Sequence, residues 1–142
     1  ESIPIGADHA GVALKERFKT ELERLGFAAE DVGTHSSESV DYPDYAKKVG
    51  EAVAQGEVEQ GILVCGSGTG MAISANKVHG VRAAVAWNED IARLAREHNN
   101  ANVLALAGRF ISEEENAKII KAWFDAKFEG GRHATRVGKI EE

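Results

Sequence analysis

The residues best suited to chemistry are concentrated in Cys65-Gly66-Ser67-Gly68-Thr69-Gly70-Met71. Glycines at 66, 68 and 70 let a backbone turn tightly and present several N–H groups where a helix begins. Such a nest holds a phosphate, or equally the oxyanion of an enediolate. The run is not a Walker loop, because no Gly-Lys-Ser/Thr closes it, and Met71 stands where a dinucleotide fingerprint needs its last glycine. Taken alone, a glycine-rich turn is most often only a tight strand-to-helix connection. Cys65 precedes the nest directly, where the dipole of the following helix favours an anion. A lone cysteine in an apolar strand is more often a small buried hydrophobe. On the residues alone both readings stand.

His98 has a similar double reading. Ile91, Leu94, Ala95 and His98 share one helical stripe, as a packed core histidine would, yet His98 also ends its helix beside Asn99 and Asn100 at a polar rim. His9, next to Asp8 after the first strand, is a turn residue or a partner for a sugar hydroxyl. Arg132 and Arg136 are four apart and share a face if the C-terminal segment is helical. They form an anion clamp or a solvated surface. No histidine–cysteine spacing resembles a structural zinc site, so no metal is expected.

These groups need a scaffold, and the sequence alternates strand and helix without a linker. Strands are expected over Ser2–Gly6, Phe27–Val32, Gly61–Val64, Val81–Trp87 and Val103–Ala107. The run Gly61–Val64 suits a strand buried on both faces. Helices are expected over Gly11–Leu25, from Tyr42 to about Gln55, after Gly70 to about Lys77, from the N-cap Asn88 to near His98, and from Ser112 to about Phe128. Leu14, Phe18, Leu22 and Leu25 line one face of the first. Gly26 ends it in the left-handed position, and Ser112 with Glu115 forms a capping-box signature. Gly130-Gly131 breaks the last helix before a C-terminal extension. The expected fold is therefore α/β: one three-layer αβα domain over residues 1–142, with a five-stranded parallel, Rossmann-like sheet and helices on both faces. Ligands in such sheets bind beyond the carboxyl ends of the strands. Asp8 and His9, Cys65–Gly70, and Gly108-Arg109 follow strands one, three and five, so one rim can hold all three groups.

Composition narrows the function. The 142 residues are 43% hydrophobic with a net charge of −6, which fits a folded soluble protein and disfavours a general nucleic-acid binder. No stretch approaches the roughly 18 apolar residues of a membrane span, and the N-terminus lacks the pattern of a signal peptide. One cysteine forms no internal disulfide, so a cytoplasmic setting is expected.

Five segments together carry a resemblance: GADHAG at 6–11, DYPDYA at 41–46, CGSGTGMAISANK at 65–77, REHNNANVLALAGR at 96–109 and FEGGRHATRV at 128–137. In this order they resemble the type B ribose-5-phosphate isomerases, a family that also holds allose- and galactose-6-phosphate isomerases. The resemblance implies a cofactor-free aldose–ketose isomerase that moves a proton between C1 and C2 of a sugar phosphate through an enediolate. On that basis Cys65 is the carbon base, and the backbone of Gly66, Ser67, Gly68, Thr69 and Gly70 stabilises the enediolate. Ser67 shuttles protons between the oxygens. His98 opens the sugar ring, Asp8 and His9 orient the sugar, and Asn99 binds a hydroxyl. Arg109, Arg132 and Arg136 hold the phosphate. Some similar proteins lack the cysteine and carry a glutamate just after the glycine loop. Met71 stands there here and takes no proton. The resemblance also implies a homodimer or a higher assembly such as a tetramer, with each active site shared between subunits, and neither nucleic acid nor membrane as partner. Three alternatives remain: a sibling acting on a six-carbon sugar phosphate, a non-catalytic nucleotide- or flavin-binding module, and an inactive partner subunit.

Overall fold

In the computed structural model, which describes residues 2–8, 11–33 and 41–142, strands and helices alternate. The order is β1 (Ser2–Ala7), α1 (Val12–Arg24), β2 (Ala28–Asp31), α2 (Tyr42–Ala54), β3 (Gly61–Cys65), α3 (Thr69–Asn76), β4 (Ala83–Val85), α4 (Glu89–Asn99), β5 (Val103–Ala107), α5 (Glu113–Asp125) and α6 (Arg132–Ile140). All strands pair in parallel, in the order β2-β1-β3-β5-β4. The expected three-layer α/β fold is what forms, with α6 as its C-terminal extension. No helix of the described residues is long and apolar enough to cross a membrane.

The two-residue period of the strands divides the interior into two cores. Ile3 and Ile5 of β1, Ile62 and Val64 of β3, and Leu104 and Leu106 of β5 pack with Phe18 and Leu22 of α1 and Ile119, Ile120 and Trp123 of α5. The alternate residues Leu63, Cys65, Val103 and Ala105 pack with Val49 and Val53 of α2 and Met71 and Ala75 of α3. Each large side chain so buried stabilises the fold by roughly 1.5–3 kcal/mol. Gly6 and Gly61 allow α2 to lie close, because a Cβ on either would press against Val49.

Helices on opposite faces make the chain leave β1 and β3 in opposite directions, opening a crevice beyond their carboxyl ends. Caps fix where the helices start. The Asn88 side chain accepts from the Ile91 N–H at 2.8 Å, and the Ser112 hydroxyl accepts from the Glu115 N–H at 3.1 Å. Gly26, at φ 94°, closes α1 as its position predicts.

The structure corrects three expectations. β4 spans three residues instead of seven: it is an edge strand paired only with β5, and the Arg82 N–H turns aside to the Asn102 side chain at 2.7 Å. α5 stops at Asp125, where Ala126 turns extended, and the following segment runs back to α4 through Glu129 N–H and the Glu97 carbonyl at 3.0 Å. His98 does not face the rim that carries Cys65. A helix that follows a parallel strand returns the chain to the sheet's other edge, so the end of α4 lies beside the start of β5. Val103 pairs with Gly61 and Ala107 with Cys65, so the length of β3, about 13 Å at ~3.3 Å per residue, separates the two edges.

Candidate active site

The chain beyond β3 is shaped by glycine. Gly68 takes φ 82° as the N-cap of α3, and its N–H donates to Cys65 Sγ at 3.2 Å. The Thr69 N–H donates to the Ser67 hydroxyl at 3.3 Å, and the first helical bond, Ala72 N–H to Gly68 O, follows. One N–H of this turn thus reaches the sulfur, and the start of α3 lies directly beyond it. β5 is tied to the same loop. Gly108 N–H donates to Cys65 O at 2.7 Å and Arg109 N–H to Gly66 O at 3.0 Å. The Arg109 side chain lies over Gly66, where a Cβ would come within 3.2 Å of its Cδ.

A cavity of about 350 Å³ opens here, lined by Asp8, Tyr42, Cys65, Gly66, Ser67, Gly70, Arg109 and Phe110. Asp8 is buried at its wall and accepts the Gly11 N–H at 3.1 Å. Cys65 is only 6% exposed, while Ser67 and Arg109 face solvent. Thr69 is exposed at the start of α3, and Gly68 is buried behind the loop. A sulfur nucleophile or base, a carboxylate, backbone donors and a guanidinium thus meet in one polar pocket, a set that moves protons and binds an anion. His9 lies outside the described residues.

The remaining expected residues gather elsewhere. His98, at the end of α4, stacks on His133 of α6 with ring centroids 4.2 Å apart and planes 9° apart. Glu129 Oε1 lies 3.7 Å from His98 Nε2 and 3.5 Å from His133 Nε2. Burial, then the neighbouring His98 and Arg132, hold His133 below its ordinary value, against the opposing pull of Glu129. Arg132 and Arg136 lie exposed on α6, whose helical form puts the two on one face. Asn99 lines a separate cavity of about 450 Å³ with Arg82, Ile140 and Glu141. One chain therefore holds the expected residues as two groups at opposite edges of the sheet.

Three residues near these groups had no role assigned from sequence. Tyr42 lies over Gly70, whose missing Cβ would come within 2.8 Å of the ring. It stands at the start of a helix with Pro at its first turn, and no spacing marked it. Phe110 is 79% exposed beside the cavity. His133 lies inside the FEGGRHATRV segment, but no spacing singled it out.

Residues 3–140 match the model of the family described as Ribose/Galactose Isomerase. The chain is 46% identical over 140 residues to ribose-5-phosphate isomerase B of Escherichia coli, covering 99% of this chain and 94% of that one. It is 44% identical to D-erythrulose-4-phosphate isomerase of Pectobacterium atrosepticum, covering 98% and 92%. The solved structure of Clostridium thermocellum ribose-5-phosphate isomerase B superposes with a TM-score of 0.97 at 51% identity, covering 99% and 95%. The fold, the glycine loop behind Cys65 and these similarities agree: the chain belongs to the ribose/galactose isomerase family and is an enzyme of the isomerase class.

Proposed function

We propose that this isomerase interconverts ribose 5-phosphate and ribulose 5-phosphate, with Cys65 as its carbon base. The observation that carries the reading is the N–H of Gly68 donating to Cys65 Sγ at 3.2 Å, inside a cavity that also holds Asp8, Ser67 and Arg109. That bond fixes the sulfur at the cavity wall, and the proposed base is its thiolate, the form that accepts a proton. In the forward direction the Cys65 thiolate takes the proton from C2 of the open-chain aldose. The C2–H electrons form the C1–C2 double bond, and the carbonyl electrons pass to O1. Backbone N–H groups of Gly66–Gly70 stabilise this enediolate, each donor being worth ~2.7–4 kcal/mol where such holes have been dissected. Ser67 relays the hydroxyl proton from O2 to O1, and the Cys65 thiol returns its proton to C1. Asp8 and His9 orient the sugar.

Ring opening needs His98, hydroxyl binding Asn99, and phosphate binding Arg132 and Arg136. His98 and Asn99 end α4 beside the start of β5, the length of β3 from Cys65, and the arginines stand on α6, which packs on α4. We assign them to the site of a second copy, with Arg109 holding the phosphate beside them. A homodimer then carries two complete sites.

The test is conversion of ribose 5-phosphate by the native protein and by Cys65→Ala, with chelator present, alongside binding of the sugar phosphate to both. Turnover that collapses in the variant while binding persists is the expected result; a variant that keeps its rate sinks the base assignment. The 44% identity to a four-carbon phosphate isomerase supports assaying other lengths too. One carbon more or less shifts selectivity by only ~1–3 kcal/mol, so allose 6-phosphate and erythrulose 4-phosphate belong in the same assay.

A further inference from the structure

Among the described residues, one group of metal-ligating side chains lies apart from the Cys65 cavity: His98, Glu129 and His133, whose ligand atoms all lie within 4.8 Å of one another. Both imidazoles present Nε2 to the same carboxylate oxygen, at 3.7 Å and 3.5 Å. We propose that these three residues bind a divalent transition-metal ion of the zinc type, and that the bound ion switches the isomerase off.

Two imidazoles and one carboxylate are a zinc donor set, leaving a fourth position for water. Bonds of ~2.0–2.2 Å place neighbouring tetrahedral donors about 3.3–3.5 Å apart, so the group must close by about 1.5 Å at its widest edge. His98 must also turn out of its stack on His133, because parallel rings 4.2 Å apart do not aim both Nε2 lone pairs at one ion. The parts that must move are the ones able to. His133 is buried and serves as the fixed ligand, whereas the side chains of His98 and Glu129 are 37% and 52% exposed. Glu129 is followed by Gly130 and Gly131, at φ 71° and 58° with open space where a Cβ would be, so its backbone can pivot. Oxygen and nitrogen donors without a thiolate suit zinc, nickel or copper better than magnesium or calcium.

The inhibitory consequence rests on the role proposed above for His98, since a metal on its Nε2 leaves no proton there to give. The binding itself does not rest on that role. Zinc is titrated by calorimetry into the full chain and into Cys65→Ala, which removes the thiol as a competing ligand. One ion per chain is expected in both, weakened more than about tenfold by His133→Ala and by Glu129→Gln, since loss of an outer-shell group alone costs that much. Ribose 5-phosphate turnover of the native protein is expected to fall as the site fills and to recover on chelation. Binding that vanishes in Cys65→Ala, or is unchanged in both other variants, overturns the site. Binding at the group with undiminished turnover upholds the site and overturns both the switch and the acid role of His98.

Discussion

Gly68 concentrates three requirements in one residue. Its φ of 82° suits glycine, its N–H reaches Cys65 Sγ, and a Cβ there would sit 3.3 Å from the Leu106 carbonyl carbon and from Val85 Cγ1. Gly68→Ala is expected to destabilise by about 1–2 kcal/mol through the left-handed backbone alone, seen as a lower denaturant midpoint. It is also expected to reduce kcat, because the turn that aims the N–H at the sulfur shifts. A variant that loses stability and keeps its full kcat would remove Gly68 from the mechanism. Met71 shows the opposite case: it is fully buried in the α2–α3 core, so the position after the loop supports packing here and takes no proton.

At the scale of elements, α1 is held to β2 by a buried ion pair. Lys15, fully buried on α1, contacts Asp31 at 2.7 Å, and Lys19 contacts the same carboxylate at 3.3 Å. Burial works to raise the Asp31 pKa; hydrogen bonds from Lys15, the Gly33 N–H and Lys19 outweigh it and hold the carboxyl below its ordinary value. A carboxylate depressed in the folded state contributes its stabilisation above its unfolded value and loses it as pH falls through the folded one. Native protein is therefore expected to lose stability steeply below about pH 4, and the gap between it and Asp31→Asn to narrow over that range. At neutral pH Asp31→Asn is expected to cost about 3–5 kcal/mol, read by urea unfolding. Asn88→Ala tests a second junction. Losing its bond to the Ile91 N–H should cost about 1 kcal/mol and fray the start of α4, measurable by hydrogen exchange.

For the whole molecule, the separation of Cys65 from His98 makes the proposed shared site testable by complementation. Cys65→Ala and His98→Ala are each expected to be nearly inactive. Mixed, dissociated and reassembled, they should regain about one quarter of native activity, because half the dimers are mixed and each holds one intact site. A mixture that stays inactive would place both residues in a site built by one chain. Phe110 beside the cavity, Trp87 beyond β4 and Ile73 on α3 are exposed apolar side chains, at 79%, 60% and 57% exposure, and the proposed dimer is expected to cover them.

The order of strands and helices, the two-faced helical cover and the loop after Cys65 were legible in the sequence. Buried parallel strands read as unbroken apolar runs such as Gly61–Cys65, and glycines and caps such as Gly26, Asn88 and Ser112 act through bonds only a few residues long. Local rules suffice for such features. Tertiary structure alone decided the rest, because it depends on partners distant in the chain. β4 is short for want of a second neighbour, Lys15 is buried because Asp31 waits for it, and Tyr42 meets Gly70 only once α2 packs on α3. His98 shows the limit most clearly. Its helical stripe and its place beside Asn99 are properties of the sequence, but which edge of the sheet it occupies follows from the direction in which α4 returns the chain to β5.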